Sequence, residues 1–170
     1  MQNYNHYPSY TSKQMLQIEK KKCFIELGKF LNQFSKNNNI QNKTVLHNDL
    51  FFDDFIQLIE LSQSHNGWFT QEQVYHSVQS WAKALTEENL NIWLTEYDLS
   101  KVTTKTVGLI LAGNIPLVGF HDFLSVLIAG HKVLVKTSSN DQYLIKFLAK
   151  YLISINPEIE NYIIFTDGKL

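Results

Sequence analysis

Residues 106–165 read TVGLILAGNIPLVGFHDFLSVLIAGHKVLVKTSSNDQYLIKFLAKYLISINPEIENYIIF, and the changing apolar period of this stretch decides the fold. Residues 106–111 form a short β-branched and apolar run suited to a buried parallel strand. Phe120, Phe123, Leu124, Leu127 and Ile128 then recur at helical spacing until Gly130 ends the stripe. Residues 133–135 predict a second strand. Leu144, Phe147, Leu148, Tyr151 and Leu152 repeat the helical template before Pro157, and residues 162–165 predict a third strand. Strand, helix, strand, helix, strand is the unit of a doubly wound parallel sheet, in which right-handed crossovers place a ligand crevice at the carboxyl ends of the strands. The expected class is therefore α/β, with an incomplete doubly wound parallel sheet (βαβαβ). It is expected to be incomplete because three parallel strands need cover on both faces and edges, and the sequence runs only five residues past the last of them.

Outward from this unit the pattern is helical. Cys23, Leu27, Phe30, Leu31 and Phe34 form one apolar stripe, which residues 36–39 end with a lysine and three asparagines. Phe52, Phe55, Ile56 and Ile59 form another, followed by a turn at His65-Asn66-Gly67. Thr70 with Gln73 three residues later predicts a capping box for a helix through Val74, Val78, Trp81 and Leu85. Thr86 caps a shorter helix carrying Leu90, Trp93 and Leu94. Residues 98–105 turn polar and lose their period, so the expected division is a helical segment over residues 1–100 and the first part of an αβ domain over residues 101–170.

Composition narrows the function classes. The 170 residues, 44% hydrophobic and 13% aromatic, can bury a core. Net charge is -1, and the sequence contains no arginine, the residue best suited to bidentate phosphate or guanine reading, which argues against a nucleic-acid partner. Residues 1–10 lack the apolar centre of a signal peptide, and no run approaches the roughly 20 apolar residues that span a bilayer, so a cytoplasmic protein is expected. Cys23 stands alone, which excludes an internal disulfide and a cysteine-cluster metal site. His47, His65 and His76 have no metal-ligand spacing, and the glycosylation pattern at Asn42-Lys43-Thr44 is read as accidental.

Two segments could carry chemistry. In Leu111-Ala112-Gly113-Asn114-Ile115-Pro116, Gly113 permits close backbone approach and Asn114 offers a neutral amide donor at the crevice mouth. Pro116 suits the first turn of the following helix. A tight strand-to-helix connection with a capping asparagine is the structural alternative. In Val135-Lys136-Thr137-Ser138-Ser139-Asn140, a lysine just past a parallel strand, with hydroxyls leading into a helix, makes a site for ribose hydroxyls or phosphate. The alternative is a capped helix with one solvated lysine.

The stretch from Gly108 through His121-Asp122-Phe123-Leu124, continued by Ala129-Gly130-His131-Lys132-Val133-Leu134-Val135-Lys136-Thr137-Ser138-Ser139-Asn140-Asp141, resembles the LuxC-type fatty acyl-CoA reductases, a branch of the aldehyde dehydrogenase superfamily. Asn66-Gly67-Trp68-Phe69-Thr70 and the run from Trp81 to Leu90 resemble that family too. The resemblance implies an aldehyde dehydrogenase type of sheet. It implies reduction of fatty acyl-CoA to aldehyde by a nicotinamide cofactor through a cysteine acyl-enzyme. By resemblance Asn114 is the catalytic oxyanion donor, and Ala112, Gly113, Asn114, Ile115, Lys136, Ser138 and Ser139 bind the cofactor. Ala112-Gly113 replaces the superfamily's Pro-Trp, and Thr137 its proline after the lysine. Ser139 stands where NAD-preferring members carry glutamate; a serine can donate to a 2′-phosphate that a carboxylate would repel, so NADPH is expected over NADH.

The family's nucleophilic cysteine belongs beyond these residues, so the expected chain is an amino-terminal part whose carboxy-terminal half is its partner, inactive alone. A homo-oligomer is compatible with the sequence. Cys23, on an apolar helical stripe, reads as a buried structural thiol. His121 and Asp122 point different ways on a helix and are not expected to act as a pair, and His131 reads as exposed loop. Lys20, Lys21 and Lys22 read as a solvated face, and Trp68, Trp81 and Trp93 as helix packing. The rival from another class is a stand-alone, non-catalytic module that binds a nucleotide or pairs through its sheet edge.

Overall fold

The structure, a computed structural model, describes residues 12–139 and 141–168; the readings of residues 1–10 and of Asn140 lie outside them. Four helices come first: α1 (Ser12–Leu31), α2 (Asn48–His65), α3 (Gln71–Ala84) and α4 (Glu87–Thr95). Then follow β1 (Thr106–Ile110), α5 (Phe120–Ile128), β2 (Lys132–Lys136), α6 (Tyr143–Ile155) and β3 (Ile163–Phe165). Thr70 accepts the Gln73 amide in a full capping box, and Thr86 accepts the Asn89 amide, as the sequence predicts. Gly130 takes φ 96 just past α5, a left-handed value that favours glycine.

The sheet is parallel with order β1-β2-β3, and Val107 faces Val133 while Ile110 faces Lys136. Alternate residues therefore share a face. Val133 and Val135 are fully buried on one side, whereas Ile110 (76%) and Ile164 (47%) are exposed on the other. This corrects one expectation: strand β1 is not buried on both faces. The order β1-β2-β3 is that of one half of a doubly wound sheet, in which the reversal that makes a switch point comes with a further strand.

The covered face packs into one core shared with the first hundred residues. Phe30 stacks on Tyr151 with centroids 4.3 Å apart, Phe55 meets Phe147 at 4.9 Å, and the Tyr151 hydroxyl donates to the Leu46 carbonyl at 2.9 Å. Trp81 meets Phe120 edge-on at 4.7 Å, which joins α3 to α5. Gly28 lets α1 approach α3 closely, since a Cβ there would lie 2.7 Å from the Leu85 carbonyl oxygen.

Other expectations change with packing. Pro116 does not begin a helix; α5 starts at Phe120, because Leu117 takes φ 60, a left-handed value that a helix running on from Pro116 could not contain. Tyr162 closes a 3-10 turn, so β3 begins one residue later than expected. Trp68 is 77% exposed and packs no helices. Lys20 is 1% exposed, with its amine 3.4 Å from the Tyr162 ring centroid, not on a solvated face. Burial lowers that amine to about 8. Among the described residues, no helix is long and apolar enough to cross a membrane.

Candidate functional site

The seven residues singled out in the sequence all lie at the carboxyl end of the sheet. The Leu111 amide donates to the Lys136 carbonyl at 2.9 Å, which carries the β1–β2 ladder one residue past Ile110. Beyond that bond the two connections stay together. A Cβ built on Gly113 would lie 2.6 Å from Ser138 Oγ and 3.3 Å from Asp141 Cβ, so only a glycine permits this contact. The sequence places Gly113 and Ser138 in separate loops; the fold brings them into direct contact.

The loop after β1 is held from behind by buried polar groups. Asn66, 4% exposed, donates from its side-chain nitrogen to the Gly113 carbonyl at 2.9 Å. Asn66 is itself fixed, because its side-chain oxygen accepts the Trp68 amide at 3.0 Å and its backbone amide donates to the Ser62 carbonyl at 2.9 Å. Leu117 takes φ 60, a left-handed conformation that costs a non-glycine residue about 1 kcal/mol or more. Its backbone amide favours the ionised form of the Asp141 carboxyl. Asp141 is 8% exposed, and burial raises it to about 6 although the Leu117 amide acts in the opposite direction.

In front of this support the candidate groups face outward. Ala112, Asn114, Ile115 and Ser139 are exposed, while Gly113, Lys136 and Ser138 are half-buried. Among the described residues the Asn114 side chain has no hydrogen-bond partner and Lys136 no ion pair. The end of the sheet thus presents a neutral amide donor, one cation and hydroxyls on a rigid backbone. Such a set can hold a developing oxyanion, sugar hydroxyls or a phosphate.

Groups outside this end are less suited to chemistry. Cys23 is 2% exposed in the core, and burial, with Glu19 and Glu26 nearby, raises its thiol to about 11, so it is a structural thiol. His121 and Asp122, read as not pairing, do meet at 3.5 Å, but both side chains are 65% exposed. His131 is more than loop surface: its Nδ1 accepts the Lys105 amide at 3.2 Å ahead of β1. No cluster of three metal-binding side chains occurs among the described residues.

Sequence reading misses Asn66, Leu117 and Asp141. Asn66 lies 47 positions from its partner Gly113, and nothing local announces that contact. Leu117 and Asp141 stand inside or beside the singled-out segments, yet their roles depend on burial that apolar periodicity does not report.

Residues 86–165 match the family model described as acyl-CoA reductase (LuxC), a span that holds α4, the whole sheet and all seven candidate residues. No curated protein matches the chain, and no solved structure does.

Proposed function

Through residues 86–165 the chain belongs to the LuxC family of acyl-CoA reductases, and from that premise we propose that it carries the cofactor-facing and oxyanion-binding elements of an enzyme that reduces fatty acyl-CoA thioesters to aldehydes with NADPH. The observation that carries this reading is the contact between Gly113 and Ser138, which unites the two loops into one surface bearing Asn114, Lys136 and Ser139. Bound there, NADPH supplies the hydride.

Each role draws on the chemistry of the residue and on its place at the carboxyl end of the sheet. The Asn114 amide, free of partners among the described residues, donates to the thioester carbonyl oxygen as it becomes an oxyanion; a donor already in place costs no reorganisation when charge develops. Lys136, at the end of β2, holds ribose or phosphate oxygens with its ammonium, and Ser139 donates a hydroxyl to a 2′-phosphate. The backbone from Ala112 to Ile115 forms the dinucleotide wall, and the Asn66 bond to Gly113 keeps that wall in position. The residues present fit such a cofactor, because Asp141, the carboxylate packed against Gly113, is buried behind the loop and does not face the crevice surface. Cys23, buried in the core with its thiol raised to about 11, is not fitted to be the nucleophile.

Thermal unfolding of the chain with NADPH tests this reading. At a concentration about 100 times its Kd, NADPH should add about 2.7 kcal/mol and raise Tm. Lys136→Ala should abolish the rise, and Ser139→Glu should shift the response towards NADH. A melting curve indifferent to NADPH would overturn the cofactor assignment, and an unchanged preference in Ser139→Glu would remove the argument for NADPH over NADH.

A further inference from the structure

We propose that Asn66, in the turn between α2 and α3, is a positioning residue that fixes the peptide joining Gly113 to Asn114. It acts so that the main-chain N–H and the side-chain amide of Asn114 are presented together, as a pair of donors for one anionic oxygen. That this oxygen is the thioester oxyanion rests on the function proposed above. The need for such a residue begins at Gly113. Contact with Ser138 leaves no room for a side chain there, and glycine is the residue whose backbone turns most freely. The rigid peptide that follows it, which carries the Asn114 N–H, is therefore poorly held by its own flanking bonds. A donor on a turning peptide is not preorganised for developing charge.

Asn66 removes that freedom. Its side-chain nitrogen donates to the Gly113 carbonyl at 2.9 Å, from a residue that is 4% exposed. No cis peptide bond occurs among the described residues, so the Asn114 N–H points opposite to the Gly113 carbonyl of the same peptide. With that carbonyl held towards buried Asn66, the N–H is directed away from the turn between α2 and α3. Asn114 is exposed, and neither its N–H nor its side chain has a hydrogen-bond partner among the described residues. Both donors thus remain available to a ligand.

A side-chain amide suits both ends of this link. The Trp68 N–H, 3.0 Å from the Asn66 side-chain oxygen, can only donate, and the Gly113 carbonyl at the side-chain nitrogen can only accept. A carboxylate of the same shape would meet the first partner and repel the second. The turn itself is anchored by main-chain bonds: the Asn66 amide donates to the Ser62 carbonyl at 2.9 Å, and the Asn66 carbonyl accepts the Phe69 amide at 2.8 Å. Asn66→Asp therefore breaks the link to Gly113 and leaves the other bonds of the turn in place.

Formate is the probe, because its carboxylate oxygen stands in for an oxyanion and it needs neither the cofactor nor the nucleophile. The main-chain and side-chain amide signals of Asn114 are followed by NMR in the full chain. In the native protein both should move with formate and give one Kd. With its carboxylate ionised at about pH 7.5, Asn66→Asp should displace both signals before formate is added and weaken formate about tenfold, the loss expected for one hydrogen bond to a charged group. At about pH 5 the buried carboxyl is protonated and can donate to Gly113, so the signals and the affinity should return. Asn66→Ala, which no proton can rescue, reports the pH dependence contributed by Asp141 and the other titrating groups. Asn114 signals indifferent to formate, or an unchanged formate Kd in Asn66→Asp at the higher pH, would overturn the proposal. So would an Asn66→Asp variant that follows Asn66→Ala at both pH values. The effect of NADPH on Tm, read in the same samples, separates the two hypotheses. If it persists while formate leaves Asn114 unmoved, the donor pair alone falls; if formate behaves as expected and NADPH does nothing, the positioning role stands and the cofactor reading falls.

Discussion

The aromatic seam between α1, α2 and α6 and the loops at the carboxyl end of the sheet are held by opposite means. In the seam, Phe30, Phe34, Phe55 and Tyr151 are all fully buried, and rings meet at 4.3 to 5.5 Å. Stability there comes from apolar area removed from water. The crevice loops and their support bury a carboxylate and a side-chain amide, each costly unless its polar atoms are partnered, and hold a leucine in a left-handed conformation that is itself strained. The seam therefore stabilises the molecule, and the loops draw on that stability to fix a surface for binding. Substitutions in the two regions should differ in size and, at Asp141, in sign.

The largest effect belongs to the seam. Phe55 touches the rings of Phe30, Phe34 and Phe147, so Phe55→Ala removes the centre of the cluster. A loss of about 3–5 kcal/mol is expected in urea or thermal unfolding. A loss below about 1 kcal/mol would mean that the seam is loosely packed and would break the contrast.

A change of opposite sign is expected at Asp141. Its carboxyl has an ordinary value of 3.8 and rises to about 6 in the folded protein. The folded state then binds more protons than the unfolded state between those two values, so this group's contribution to stability falls as pH rises through that window. Above about 6 the cost is complete, on the order of 3 kcal/mol. Asp141→Asn, which keeps the shape and removes the buried charge, should raise stability at neutral pH and flatten the dependence between pH 4 and 6, about the span of the shift. Stability curves recorded from pH 4 to 8 check this; a variant that is less stable at pH 7 and keeps the slope would show that the carboxylate is not held as described.

How far the sequence reveals these regions follows from the physics of each. The seam is legible because Phe30, Phe34, Phe52 and Phe55 recur at helical spacing, and period alone assigns them to buried faces. Strand and helix order around the crevice is legible for the same reason, and so is the placement of Asn114 and Lys136 past strand ends. Lys20 shows how a local charge run hides a face: Lys20 lies three, four and seven residues before Cys23, Phe24 and Leu27, on their buried stripe, although Lys21 and Lys22 beside it suggest solvent. Asn66 and Asp141 owe their roles to approach between distant segments, which no period encodes. The bare face of the sheet is equally silent in the sequence, since Ile110 and Ile164 are as apolar as Val133 and Val135.

The smallest effect on stability should carry the most information about the crevice. Gly113→Ala would place a Cβ 2.6 Å from Ser138 Oγ and 2.7 Å from Ser138 Cβ, and the two loops would have to part. Overpacking of this kind costs about 1–3 kcal/mol, less than the loss at Phe55, because loops yield more readily than a ring cluster. Binding should suffer more than folding: separating the loops moves Asn114 away from Lys136, so NADPH should no longer raise Tm. Ser138→Gly removes both clashing atoms, and the double variant should recover stability and the NADPH response together. Recovery of stability without the NADPH response would mean that Ser138 itself contacts the cofactor. Recovery of neither would mean that the contact of Gly113 with Asp141 Cβ, 3.3 Å from the added atom, sets the spacing of the loops.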